Sequence, residues 1–199
     1  MGTMPKKTRA ERRREKLTKT DKPSLTERIR PFLSLKNPIT RFCLLFLGLL
    51  VGFSLLLSQK PMEQFFATPI TTFIASQATW ILKVLGMDVY ARGVSISGEG
   101  FSVEILGNCN AIFETMLFLS AIIAFPSSLK EKAIGGILGT IFIYLLNLVR
   151  VVVLFLIGVY APQYFDESHV YVSQTIFIVM VAIFWLLWIG KGVKSIPAQ

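Results

Sequence analysis

The chain has 199 residues, 53% of them hydrophobic and 17% charged, with a mean hydropathy of +0.59. So much apolar matter with so few charges excludes an ordinary soluble domain and indicates an integral membrane protein. The net charge of +9 is not distributed as on a nucleic-acid-binding surface: 13 of the 21 Lys and Arg precede Phe42, without the interleaved aromatics that stack bases.

Residues 1–41 therefore read as a basic cytoplasmic tail, disordered, with anionic lipid rather than nucleic acid as its partner. The attraction is worth roughly 1 kcal/mol per basic residue near the surface. The first apolar run, "FCLLFLGLLVGFSLLL", begins too far from Met1 for a signal peptide and has no small-x-small cleavage site. It reads as a retained anchor, a first span over about 42–58. Cys43 within it reads as a small buried hydrophobe. Next, "EQFFATPITTFIASQATWILKVLG" (63–86) is long enough to span but two-faced. Phe66, Ile70, Phe73, Trp80 and Val84 make an apolar stripe interrupted by Gln77, and Thr68, Thr72, Ser76, Thr79 and Lys83 make a polar one. That pattern predicts a helix lying in the interface or packed on the bundle. In "DVYARGVSISGEGFSVEILG", two alternating runs flank the turn-forming "SGEG", which predicts a small β-hairpin whose exit strand leads to Cys109.

Three more apolar segments predict spans over about 111–126, 133–160 and 170–190; Pro126 stops the first, and Trp185 and Trp188 end the last as interfacial anchors. The positive-inside rule keeps the basic tail, Lys130, Lys132 and the terminal segment 191–199 in the cytoplasm. It places 58–108 and "APQYFDESH" outside; counting 63–86 as a span would instead send Lys130 and Lys132 outside. The expected fold is membrane α-helical: a four-span bundle with an extracytoplasmic amphipathic helix and a small β-hairpin, its membrane domain covering 42–190.

Three side chains fall in the outer half of this arrangement. Arg150 lies inside an apolar span, at a cost of about 2.5–3.5 kcal/mol on insertion scales, so it needs a partner, a wet cavity or a long reach to the interface. Asn147 and Tyr144 share its helical face. Glu114 is its natural counter-charge, or else caps its own helix start. Cys109 alone reads as a packing residue and His169 alone as an incidental loop histidine. Together they supply an acyl-transfer site: a thiolate favoured by a helix N-terminus and a cation, an imidazole for the proton, and a guanidinium for an oxyanion. No metal or organic cofactor is required. A small transporter or channel subunit, with Arg150 and Glu114 lining a polar path, is the alternative. A non-catalytic scaffold is another, and it would leave the three residues far apart.

"FSVEILGNCNAIFETMLFLSAIIAFPSSLKEK", "LLNLVRVVVLFLIG" and "FDESHVYVSQTIFIVMVAIFWLLW", in that order, resemble the exosortase/archaeosortase family, and most of all its short bacterial H-type members. The resemblance implies a multi-pass protein of the bacterial inner membrane, a cysteine protease or transpeptidase acting at the outer face. Its substrates would be exported proteins ending in a short motif, a hydrophobic helix and a basic end. It implies Cys109 as nucleophile, Arg150 as transition-state stabiliser and His169 as acid/base, with Asn147, Glu114 and Asn108 in support. The family often has glycine soon after the cysteine, where this chain has Asn110 and Ala111.

Overall fold

A computed structural model of the chain describes residues 37–59, 63–105 and 109–192. Its contacts divide the chain into residues 1–41 and 42–199. In the first unit, Asn37 Oδ1 accepts the Ile39 N–H at 3.0 Å and so starts a helix just ahead of Pro38. The tail before Asn37, with its expected lipid contacts, and the terminal segment after Gly192 lie outside the described residues.

Helix α1 (Pro38–Leu57) is apolar all round and buries none of its residues. Its surface is that of a helix facing lipid, and Cys43 is exposed on it rather than buried as the sequence reading has it. A π-helical turn (Glu63–Ala67) opens α2 (Thr68–Val84). This helix is two-faced, but its buried face is neither of the expected stripes: Thr68, Ser76 and Lys83 of the polar stripe are exposed as well. Thr71, Ile74, Ala75, Ala78 and Leu82 are buried, whereas Phe66, Phe73, Trp80 and Val84 are exposed. Small residues let the α2 backbone approach its neighbour closely, and in a membrane the large rings lose nothing by facing lipid.

The β-segment has three strands rather than two: β1 (Val89–Arg92), β2 (Ser95–Gly98) and β3 (Phe101–Glu104), antiparallel in the order β1-β2-β3. Ile96 sits opposite both Ala91 and Val103. Strand β1 carries only Val89 and the small Ala91 on its inner face, so its alternation is faint in sequence. The β2–β3 loop is Glu99-Gly100, both at positive φ (52° and 77°), as two-residue hairpin loops require.

Helix α3 (Ile112–Ala124) has 13 residues. It ends where Phe125 turns extended ahead of Pro126. Ser128 and Glu131 then form a reciprocal capping box that starts α4 (Leu129–Tyr160), a 32-residue helix beginning four residues before the expected span. At 1.5 Å per residue α4 is about 48 Å long, more than a hydrocarbon core of about 30 Å. Gly135 and Gly139 stand where an added Cβ would collide with the rings of Trp188 and Phe118. Trp188 is accordingly buried in the bundle, donating Nε1–H to the Glu131 carbonyl at 3.3 Å, and is no interfacial anchor.

The last helix, α5 (Pro162–Gly190), starts eight residues earlier than the expected 170. Pro162 pre-sets the first turn, and Asp166 and Glu167 near its start complement the helix dipole. The segment read as an outer loop is thus mostly helix. Among the described residues α1, α4 and α5 are long and apolar enough to cross a membrane, and α3 is a shorter apolar helix.

Two cores form along α4. One joins α2 and the sheet to Leu148, Val151, Val152 and Phe155, and includes Cys109. The other joins α3 and α5 around Phe118, Ile143, Phe177 and Trp188, and includes Ala111. The short passage from Cys109 to Ala111 therefore crosses from one core to the other.

Candidate active site

Cys109 leads into α3 through a backbone fixed at two points. Asn110 Nδ2 donates to Thr71 Oγ1 at 3.0 Å, and Asn110 Oδ1 accepts the Ile112 N–H at 3.1 Å. Thr71 Oγ1 in turn donates to the Ala67 carbonyl at 2.8 Å, so α2 holds the residue next to the thiol. Ala111 follows at φ 57°, ψ 15°, a left-handed conformation that favours glycine. Ala111 adopts this backbone at some strain. Asn110 is buried. Asn110→Ala is therefore expected to remove both of its side-chain bonds, leaving Thr71 only its bond to the Ala67 carbonyl, and to lower stability by about 1–3 kcal/mol. A thermal melt in detergent, compared with Thr71→Val, checks it.

His169 lies in a π-helical turn of α5, Ser168–Ser173. The extra residue per turn re-aims side chains, and such turns recur at functional sites. Its Nε2 lies 2.7 Å from Cys109 Sγ. Its ring stacks on Phe165 at 5.9 Å and 4°, and Phe165 meets Phe101 of β3 at 5.3 Å. The sheet thereby backs the imidazole. Phe101 also fills the space where Gly158 of α4 lacks a side chain.

Arg150 is buried in α4 and directed at α5. Its Nε–H donates to Ser173 Oγ at 3.2 Å, and its Cζ lies 5.6 Å from the centroid of the Phe177 ring. Nη1 is buried without a hydrogen-bond partner. Glu114 is not paired with Arg150: its Oε1 accepts from Gln174 Nε2 at 3.2 Å, and its Oε2 has no partner. Asn147, on the same face as Arg150, is 1% exposed with both amide atoms unpaired, while Tyr144 stacks on Phe73 of α2. Buried polar atoms without partners are rare in folded proteins, and Glu114, Asn147 and Arg150 each contribute at least one. Asn147→Leu, which needs no partner, is expected to raise stability by about 1–3 kcal/mol. A melting curve checks the sign.

Burial pushes the Cys109 thiol above its ordinary range; the Arg150 guanidinium draws it down and the Glu114 carboxylate pushes it up. The net effect is upward, opposite to the thiolate that the sequence suggested, because desolvation outweighs the cation. An imidazole nitrogen of His169 stands within reach of the thiol's proton.

Cys109 and His169 meet directly, and Arg150 and Glu114 reach the same segment of α5 through Ser173 and Gln174. Asn108 lies outside the described residues. Sequence reasoning missed Thr71, Asn110, Ser173 and Gln174. The visible signal was slight: a polar pair opening an apolar helix, and an amide beside the cysteine. A groove of about 200 Å³ runs between α4 and α5 past Arg150, Ser168 and Ser173, its walls including Val149, Val153 and Ile176.

A family model described as transmembrane exosortase matches residues 37–188, which take in α1 to α4, the sheet, α5 as far as Trp188 and every site residue above. No curated protein and no solved structure matches the chain.

Proposed function

Because the chain belongs to the transmembrane exosortase family, we propose that it is a membrane-embedded cysteine protease or transpeptidase that cleaves C-terminal sorting signals of exported proteins at the outer membrane face. The contact between Cys109 Sγ and His169 Nε2 at 2.7 Å carries this reading. A packing cysteine needs no imidazole, and a scaffold has no use for one beside a buried guanidinium.

The chemistry follows from the groups present. The hydrophobic tail of a substrate lies along the α4–α5 groove, which brings its motif to the thiol. Sγ attacks the scissile carbonyl as its proton passes to His169 Nε2. The oxyanion forms toward the unpartnered Nη1 of Arg150. Collapse breaks the C–N bond, and the imidazolium gives its proton to the leaving amine, which leaves a thioester on Cys109. Water, an amine or a hydroxyl then surrenders its proton to His169 and attacks the thioester, and the thiol is restored.

The test is to isolate the protein from cells carrying exported proteins with such tails, trap the acyl-enzyme, and map it by mass spectrometry. A hydroxylamine-labile adduct on Cys109, matching a peptide that ends within a C-terminal motif, is expected. An unmodified Cys109 beside fully processed substrate overturns the reading.

A further inference from the structure

We infer that Ser173 is a positioning residue that couples the guanidinium of Arg150 to the backbone of His169, so that the cation and the base keep one geometry about Cys109. The inference rests on the cysteine-peptidase reading above. Ser173 Oγ accepts the Arg150 Nε–H at 3.2 Å and donates its own proton to the His169 carbonyl at 2.9 Å. One hydroxyl therefore joins α4 to the turn of α5 that carries the imidazole. A serine bonded to the carbonyl four residues back is ordinary in a helix, where it competes with the backbone N–H. Here it falls within the π-helical turn, where the regular backbone bonding is shifted by one residue.

The contact also sets which guanidinium atom is free. With Nε held by Ser173 and Cζ over the Phe177 ring, Nη1 is buried and unpartnered. The neighbouring Gln174 holds Glu114 of α3 in the same way. Side chains from α3 and α4 are thus referenced to a two-residue step on α5, and the titratable and charged groups that face the sulfur are His169, Arg150 and Glu114.

The test uses the full-length chain in membranes with Cys43→Ser, which removes the exposed thiol of α1. It follows alkylation of Cys109 by iodoacetamide against pH, alongside substrate processing. Ser173→Ala is expected to lower kcat at least tenfold with little change in KM. It should also move the alkylation midpoint by about one pH unit, a tenfold change in thiolate fraction. Ser173→Thr, which keeps the hydroxyl, is expected to restore both. A Ser173→Ala profile that overlays the parent while Arg150→Gln shifts it overturns the coupling alone. A Cys109 profile indifferent to Ser173→Ala, Arg150→Gln and His169→Ala overturns the coupling together with the reading it rests on. A Ser173→Thr protein as impaired as Ser173→Ala, with unchanged thermal stability, also overturns it.

Discussion

Cys109→Ala is expected to leave full-length substrate uncleaved while the protein still inserts, and Cys109→Ser is expected to do the same. Loss of a nucleophile from an acyl-transfer site that works as a unit removes roughly four orders of magnitude or more in rate. The two substitutions separate chemistry from packing. Cys109 is 7% exposed in the core that contains Leu148, Val151 and Phe155. Alanine there forfeits about 1 kcal/mol of apolar burial. Serine keeps the shape and offers His169 Nε2 a hydroxyl, but a far weaker nucleophile. Equal loss of processing in both, with insertion and melting temperature near those of the parent, assigns the effect to the sulfur. Blotting for unprocessed substrate, with protease protection to follow insertion, makes the measurement. Normal processing by either variant would remove Cys109 from the reaction.

Arg150→Lys is expected to be the second-largest effect, a fall of about 10²–10³ in kcat with KM nearly unchanged. The charge is kept, so insertion and the pull on the thiol largely survive. The planar fork is lost. A lysine ammonium cannot donate to Ser173 Oγ from the Nε position while presenting a second N–H where Nη1 now stands. Steady-state kinetics on a peptide bearing the hydrophobic tail separates this outcome from simple charge balance, for which lysine would turn over near normally. A small channel would behave differently again: it would tolerate loss of the thiol and fail when Arg150 is removed.

The way the site was and was not legible follows from the range of each interaction. Pro126 and the Ser128/Glu131 pair mark a helix boundary through contacts a few residues long, and "SGEG" marks a turn for the same reason. The extent of α5 was misjudged because Asp166, Glu167 and Ser168 look like loop residues. They are helix-start residues behind Pro162. The partner of Glu114 was misjudged because opposite charges are the obvious pairing on paper. Gln174, 60 residues away, is the group that α5 brings to it.

By itself the sequence determined that this is a helical membrane protein with one charged residue buried in a long apolar helix, and it ordered a cysteine, an arginine and a histidine along the chain. Composition and apolar run length decide such things, since hydrocarbon solvation acts on each residue separately. Only the tertiary structure decided which face of α2 is buried, that burial pushes the thiol up despite the nearby cation, and that Ser173 rather than Glu114 holds the guanidinium. Those outcomes depend on how closely two backbones approach and how far burial outweighs a neighbouring charge, quantities that exist only once helices distant in sequence have packed.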